Sequence, residues 1–382
     1  MVNFLKYLII LLLFATLTAP GFAQRDKVQA EAELQSIMKK LDAIGLSVAV
    51  VKDSKLIYAQ SFGLKDVESN MALTVDHIFR IASISKSFSA TSIMQLVEAQ
   101  KLSLNDDFSD LIGFKVRNPK YPERIITLKM LMSHTSSIND SEGYFNLDAI
   151  NPEKNANWEK CYNSYEPGKG YQYCNLNYNL VGAVIEKRSG ERFDNYVKHH
   201  ILNPLQLYGG YCVDALDASR FATLYEFDTI YKTFSPAPAA YAARTNEIKN
   251  YVNGYSTPIF SPTGGMKISA SDLAKYMTMH MNQGKYKGKR IISKKSARLM
   301  QTKVSDKENY GLAIHTTDKL IPGKTMKGHT GSAYGLYSAM FFQPEEKFGI
   351  VVITNGSSPK YTEGFNDVLL LSINSLYNTF LK

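Results

Sequence analysis

Strand-like segments lie at both ends of this 382-residue chain, and a mostly helical middle separates them. Near the start, two β-rich runs in LSVAVVKDSKLIYAQSFGLKD flank turn-forming residues 52–55, which is typical of a hairpin. After residue 310 come the runs NYGLAIH, YGLYSAMFF and FGIVVITNG, whose apolar character predicts strands of a sheet covered on both faces. We therefore expect one sheet lobe, about 24–100 and 261–382, with a helical lobe of about 104–260 inserted into it.

Helical periodicity predicts where the sheet is covered. Residues 26–41 have apolar positions at helical spacing, and a largely apolar run at 84–100 predicts a buried helix that starts on or just before Ser83. An amphipathic run at 269–284 has an N-cap signal at Ser269 or Ser271, and a last helix is expected over 363–379. Short helices are predicted in ITLKMLMSH, LNYNLVGAVIEKR and FDNYVKHHI.

Composition excludes several classes of protein. With 45% hydrophobic and 21% charged residues the chain is an ordinary folded protein. The net charge of +9 is spread along it without basic runs interleaved with aromatics, so we predict no nucleic-acid partner and a solvated basic surface, rather than one adapted to an anionic envelope. No His, Cys or Asp cluster has ligand spacing, so neither a metal nor a cofactor is predicted.

Three cysteines are too few for a disulfide framework. Cys161 and Cys174 could close one short loop, or all three, with Cys212, could be free buried thiols.

The first 23 residues predict export. One lysine precedes about a dozen apolar residues, then a Pro-Gly break and small residues Gly21 and Ala23. This is typical of a signal peptide cut after Ala23, because a membrane span needs roughly 20 apolar residues; an uncleaved anchor is the alternative. We expect a periplasmic or extracellular mature protein with no integral membrane segment. Its oligomeric state is not predicted.

Ser83 and Lys86 form the first candidate catalytic pair. Positions i and i+3 share a helix face, so Lys86 would place its amine beside the Ser83 hydroxyl. A serine needs a base to become a nucleophile, and a lysine with an ordinary pKa of about 10.4 can serve only if its pKa is lowered. The same spacing occurs at Ser36/Lys39, in a Lys-rich amphipathic helix, and at Ser357/Lys360, beside a proline. Only Ser83 opens a buried helix.

Five stretches follow one another in a characteristic order: FRIASISKSFSA, ITLKMLMSHTSSI, EPGKGYQYCNLNYNLVGAVIE, SPTGGMKISASDLAKYM and GHTGSAYGLYSAMFF. Together they resemble the class C serine β-lactamases and their D-alanyl-D-alanine peptidase, D-aminopeptidase and esterase relatives, from about residue 45 to 356. The resemblance implies an α+β fold of the β-lactamase/transpeptidase type, with an antiparallel sheet flanked by helices.

The resemblance also implies roles for individual residues. Tyr173 of a Tyr-x-Asn motif would share the Ser83 proton with Lys86 and later activate the deacylating water, and Asn175 would donate to a substrate carbonyl. Tyr251-Val252-Asn253 has the same form, but no Pro-Gly pair precedes it and no helical pattern follows it.

A third motif of the family matches His329-Thr330-Gly331. Gly331 would let substrate lie against a strand, and His329 would direct positive charge toward a substrate carboxylate or assist proton transfer. The N–H groups of Ser83 and Ser332 would form the oxyanion hole. His134 resembles a structural segment, and we assign it no chemical role.

Departures from the pattern bear on the substrate. His329 in place of lysine is more typical of peptidases, aminopeptidases and esterases than of efficient class C β-lactamases. Cys174 replaces a small residue, and Ser137 stands where glycine is frequent, so the loop there is expected to differ.

We expect a serine hydrolase that acts through a Ser83 acyl-enzyme on a small-molecule or peptide substrate, namely a D-amino acid peptide, a carboxylic ester or a β-lactam. The alternatives are an acyltransferase with the same three residues and a penicillin-binding sensor or scaffold without turnover.

Overall fold

The structure, a computed structural model, describes residues 19–305 and 307–382. Most of the predicted signal peptide lies outside the described residues. The helices are α1 Ala19–Lys40, α2 Ser85–Glu98, α3 Phe108–Ile112, α4 Leu128–Met132, α5 Asn175–Ser189, α6 Phe193–Val197, α7 Asn203–Leu205, α8 Thr245–Lys249, α9 Ala270–Met281, α10 Lys294–Met300 and α11 Asp367–Phe380. The longer strands are β1 Gly45–Lys52, β2 Lys55–Asp66, β11 His315–Ile321, β12 Lys324–Ala333, β13 Leu336–Gln343 and β14 Phe348–Thr354.

Short strands complete the set: β3 Met71–Ala72, β4 Phe79–Arg80, β5 Gly209–Gly210, β6 Tyr225–Asp228, β7 Thr233–Pro236, β8 Lys267–Ile268, β9 Lys285–Tyr286, β10 Lys289–Arg290, β15 Tyr361–Thr362 and β16 Phe365–Asn366. Across these ranges, no helix is both long enough and apolar enough to cross a bilayer.

A seven-stranded antiparallel sheet joins the two ends of the chain, as the strand pattern predicted. Its order is β11-β12-β13-β14-β1-β2-β3, so the C-terminal β14 pairs directly with the N-terminal β1. The predicted hairpin is formed by β1 and β2, and its turn places Asp53 and Ser54 at φ of 48° and 67°. Two successive left-handed residues match the right-handed twist of the strands.

Both faces of the sheet are buried. Along β1, Val48 and Val50 point into a core closed by α1 and α11. Ala49 and Val51 point into the opposite core, closed by α9 and continuous with the helical region. Successive side chains of a strand face opposite sides of the sheet. Because both sides are buried, apolar residues occupy successive positions of these strands and do not alternate with polar ones.

Helix α2 packs mainly against α5. This packing places the N-terminal end of α2 at the boundary between the sheet and the helical region. A small sheet of β4, β8 and β5 ties residues 79–80 and 267–268 to residues 209–210. The exact limits of the two predicted lobes stay a prediction.

One predicted strand is wrong. Of NYGLAIH, only the last residue, His315, begins a strand, because the chain turns before it. Ala313 has a φ of 61°, the Gly311 N–H donates to Ile314 O, and a Cβ on Gly311 would lie 2.3 Å from Met300 O. The apolar run therefore lines a turn packed against α10.

The three cysteines are buried free thiols, so the alternative without a bridge holds. Cys161 Sγ lies 3.4 Å from Ala149 O, and Cys174 Sγ lies 3.2 Å from Asp140 Oδ1.

Candidate active site

Ser83 lies in a single 3-10 turn, Ala82–Ile84, that runs directly into α2. Ala82, the residue before it, has a φ of 49°, in the left-handed region that L-residues seldom adopt. This conformation turns the chain from β4 into the helix and leaves the Ser83 side chain partly exposed. The helix start predicted on or just before Ser83 is confirmed.

Lys86 is fully buried and lies beside Ser83. Its Nζ is 3.0 Å from Ser83 Oγ, 2.9 Å from Asn175 Oδ1 and 3.0 Å from Thr263 O. None of these partners is charged. Burial lowers the pKa of Lys86 to about 7, although the nearby Asp140 and Cys174 act to raise it. At neutral pH a large share of Lys86 is therefore an uncharged amine.

An uncharged Lys86 has the geometry of a base. A neutral amine has two N–H donors and one lone pair. Asn175 Oδ1 and Thr263 O are acceptors that take the two N–H groups. The lone pair then faces Ser83 Oγ, 3.0 Å away, and can receive the hydroxyl proton.

Asn175 is held in one orientation by neighbours on both sides. Its Oδ1 accepts from Lys86 and from Thr263 Oγ1, 2.9 Å away, and its Nδ2 donates to Asp140 Oδ2 at 3.0 Å. The amide has two N–H groups, so one remains for the substrate carbonyl that the resemblance implies as its partner.

Asp140 was not identified from the sequence. Its carboxylate accepts from the backbone N–H groups of Asn175 and Leu176, both at 2.9 Å, in the first turn of α5. A negative charge there is favoured by the unpaired N–H groups and the helix dipole. Because 35 residues separate Asp140 from Asn175, no local pattern could have revealed this cap.

Tyr173 lies against Lys86, whose Nζ is 4.7 Å from the centre of the phenol ring. The Tyr173 hydroxyl is buried and has no hydrogen-bond partner within residues 19–305 and 307–382. Burial raises its pKa, while the proximity of the Ser83 hydroxyl acts in the opposite direction. The phenol is thus near the nucleophile, as predicted, and is protonated at neutral pH.

His329 differs from its predicted role as a positive charge. It is 6% exposed, its Nδ1 donates to the Thr330 carbonyl, and its Nε2 accepts from the Tyr310 hydroxyl at 3.0 Å. Burial, followed by the charge on Lys86, lowers its pKa to about 3, against the effect of the Thr330 carbonyl. At neutral pH the imidazole is uncharged, so attraction of a carboxylate by a charged His329 is not supported.

Gly331 has a packing role that the sequence did not reveal. A Cβ at this position would lie 2.2 Å from Ile81 O and 2.5 Å from Ser338 Oγ. Only glycine lets β12 approach the turn that holds Ser83. Ser332, the next residue, faces the same cavity as Ser83. An oxyanion hole formed by their two N–H groups stays a prediction.

A cavity of about 490 Å³ opens at Ser83. Its lining includes Arg80, Tyr144, Phe145, Tyr173, Asn175, Glu226, Ser261, Thr263, Ser332 and Tyr334. A second cavity of about 220 Å³ is lined by His329 and Thr330 among others, and Tyr173 lines both cavities. A third, of about 170 Å³ near Arg192, has no serine in its lining, so it is a weaker candidate for this chemistry.

The competing motifs lie elsewhere. Lys39 is exposed on α1. Ser357 is buried, and its hydroxyl has no hydrogen-bond partner among the described residues. The Tyr251 hydroxyl donates to Glu186, in the last part of α5. Ser137 has a φ of 67°, in the left-handed region that glycine favours, and the expected difference of this loop from the family stays a prediction. Over residues 19–305 and 307–382 no cluster of three potential metal ligands is present.

This fold and site define a class of protein, and the comparisons agree with it. The family model described as Beta-lactamase matches residues 30–372. The chain therefore belongs to the beta-lactamase family, and its fold is that of β-lactamases and transpeptidases.

Two named proteins are similar to this chain in sequence. Protein flp of Staphylococcus aureus (strain MW2) is 24% identical over 354 residues, which are 88% of this chain and 65% of that protein's own length. Penicillin-binding protein 4 of Amycolatopsis lactamdurans is 25% identical over 351 residues, 85% of this chain and 84% of that one.

Among solved structures, the octameric penicillin-binding protein homologue from Pyrococcus abyssi is 27% identical with a TM-score of 0.73, covering 92% of this chain and 78% of that one. The D-amino acid amidase from Ochrobactrum anthropi SV3 is 19% identical with a TM-score of 0.68, covering 92% and 99%.

Proposed function

We propose that this protein hydrolyses amide or ester bonds through an acyl-enzyme on Ser83. The observation that supports it most is the buried Lys86, whose lowered pKa of about 7 and 3.0 Å distance to Ser83 Oγ give the serine a base at neutral pH. Lys267 is also buried with a lowered pKa, but its Nζ donates to Tyr211 O. Lys86 differs because its amine lies beside a serine hydroxyl that opens on a cavity.

Acylation starts with a proton transfer. As Ser83 Oγ bonds to the substrate carbonyl carbon, its proton passes to Lys86 Nζ, and the carbonyl oxygen becomes an oxyanion facing the N–H groups of Ser83 and Ser332. When the intermediate collapses, the bond to the leaving group breaks. The leaving group takes a proton from the phenol of Tyr173, which regains one from the Lys86 ammonium.

Deacylation follows the same steps with water as the nucleophile. Water attacks the Ser83 ester carbonyl and gives its proton to Lys86 directly or through Tyr173, and Ser83 Oγ leaves and is reprotonated. Because burial raises the pKa of Tyr173, this phenol suits a donor or relay better than a first base. We therefore assign proton removal from Ser83 to Lys86.

Arg80 supports acyl donors that contain a carboxylate. It is 7% exposed and lines the Ser83 cavity. Its guanidinium donates to two carbonyl oxygens, of Gly264 at 3.1 Å and Ala240 at 3.4 Å, and packs on the Tyr334 ring at 4.8 Å. Arginine keeps its charge in proteins and has five N–H groups. Donors therefore remain for an anionic group, which D-amino acid peptides and β-lactams possess.

Transfer to an alcohol instead of water is the second candidate. It requires the same three residues, and it is supported by the likeness to EstCE1, described as a hydrolase with promiscuous acyltransferase activity, at 20% identity and a TM-score of 0.69. An open cavity of about 490 Å³ has room for an acceptor. The presence of Ser83, Lys86 and Tyr173 at one site disfavours a scaffold without turnover.

A substrate screen with the purified protein tests these statements. We expect hydrolysis of p-nitrophenyl esters, D-amino acid amides or cephalosporins by the wild type and none by Ser83→Ala. The role of Arg80 is tested by comparing the hydrolysis rates of two esters of equal length, one ending in a carboxylate and one in a methyl group. The first should be hydrolysed faster. Turnover that survives in Ser83→Ala would refute the acyl-enzyme, and equal rates for the paired esters would refute the carboxylate preference alone.

A further inference from the structure

We propose that His134 is a positioning residue, which fixes Tyr173 against Ser83 by holding the backbone on both sides of it. This inference rests on the proposed function, since it gives Tyr173 a part in proton transfer. The sequence assigned His134 no chemical role, and its side chain does not line the Ser83 cavity.

Two hydrogen bonds connect His134 to the neighbours of Tyr173. The N–H of Gln172 donates to the His134 carbonyl oxygen at 3.0 Å, and the N–H of Cys174 donates to His134 Nδ1 at 3.2 Å. One residue thus binds the chain immediately before and immediately after the catalytic phenol. Loss of the Nδ1 acceptor would release the second of these two attachments and leave a buried N–H unpaired.

The imidazole also contacts the Tyr173 ring itself. The two ring centres are 4.3 Å apart, and His134 is fully buried. Tyr178, whose hydroxyl donates to Met132 O at 2.7 Å, packs on His134 with the ring centres 5.4 Å apart. The imidazole is therefore fixed by packing on α5, and it transmits that rigidity to Tyr173.

The protonation state of His134 follows from these contacts. Nδ1 accepts the Cys174 N–H, so the proton of the neutral ring is on Nε2, which is buried and has no partner in the described part of the chain. Burial, and then repulsion by the positive charges that Lys86 and His329 carry when they are protonated, hold the pKa of His134 well below its ordinary value. The acceptor at Nδ1 is therefore present at neutral pH.

The backbone of His134 indicates a suitable substitution. Its φ is 58°, in the left-handed region, where asparagine is tolerated better than most residues. Asparagine also offers a side-chain oxygen close to the place of Nδ1. His134→Asn should keep the bond to Cys174 N–H, whereas His134→Ala and His134→Leu remove it. His134→Leu keeps most of the volume of the ring.

The test combines these variants with Tyr173→Phe. If His134 acts through the Tyr173 hydroxyl, His134→Leu should lower kcat for a p-nitrophenyl ester by roughly 10-fold in the wild type but less than about 3-fold in Tyr173→Phe. His134→Asn should stay within about 3-fold of the wild type. His134→Ala provides the same comparison if His134→Leu does not fold, and circular dichroism melting checks the fold of each variant.

Three results would overturn the inference. If His134→Leu lowers kcat equally in the wild type and in Tyr173→Phe, His134 has a general structural role. If His134→Asn is as slow as His134→Leu, the hydrogen-bond acceptor at Nδ1 is not what matters. If Tyr173→Phe alone has no effect on kcat, the proposed role of Tyr173 fails and this inference fails with it. In that case Ser83→Ala still tests the acyl-enzyme separately.

Discussion

The pH dependence of acylation follows from the burial of Lys86. Its pKa of about 7 makes roughly half of the molecules uncharged at pH 7, about 1% at pH 5 and nearly all at pH 9. An ordinary lysine would be uncharged in only about 0.03% of molecules at pH 7. If the uncharged amine is the base, kcat/KM should fall about 10-fold per pH unit well below pH 7.

The assay measures kcat/KM for a p-nitrophenyl ester between pH 5 and pH 9, with spontaneous hydrolysis subtracted. The rate of Ser83 labelling by a fluorophosphonate should follow the same curve, because it reports acylation without deacylation. Tyr173→Phe is the matched control, and it should lower the plateau but keep the midpoint near pH 7. A midpoint near pH 10, or one that disappears in Tyr173→Phe, would refute Lys86 as the titrating base.

Three further variants have defined outcomes. Tyr173→Phe should lower kcat by roughly 10²-fold, measured on the same ester, because it removes the proton relay; an unchanged kcat would exclude that role. Gly331→Ala should lose most activity and about 2 kcal/mol or more of stability in urea unfolding, because its Cβ would lie 2.2 Å from Ile81 O, whereas Gly210→Ala meets nothing nearer than 3.7 Å and should be mild. Lys86→Met should raise the melting temperature more at pH 6 than at pH 10. The pKa of Lys86 is about 7 in the folded protein and 10.5 for an ordinary lysine. Between these pH values the unfolded chain binds more protons, so the stability of the wild type increases with pH there. An equal rise in melting temperature at pH 6 and pH 10 would contradict this direction.

The sheet was predictable because burial on both faces leaves long apolar runs, and β1 and β14 are such runs. The Ser83 and Lys86 pair was predictable because i and i+3 share a helix face. An N-cap of α9 was predicted at Ser269 or Ser271. In the structure Ser269 is the cap, because its Oγ accepts from Asp272 N at 3.1 Å. These features depend on neighbours in sequence, so a single chain reveals them.

Other features depend on distant contacts. The neutral state of His329 follows from burial under Tyr310, and the need for glycine at 331 follows from the approach of Ile81. Asp140 and His134 act on the Tyr173–Asn175 segment across more than 30 residues. Composition and periodicity contain no information about such pairings. The resemblance implied that His329 directs positive charge toward a carboxylate or assists proton transfer, and it could not show the burial that keeps the imidazole neutral.

The most direct test of the proposed mechanism is the site of covalent modification. The wild-type protein and Ser83→Ala are incubated with a fluorophosphonate at pH 8, and adducts are located by peptide mass spectrometry. We predict one adduct on the peptide that contains Ser83, and none in Ser83→Ala. No adduct on the wild type, or an adduct on Ser36 or Ser357 instead, would contradict the assignment of Ser83 as the nucleophile.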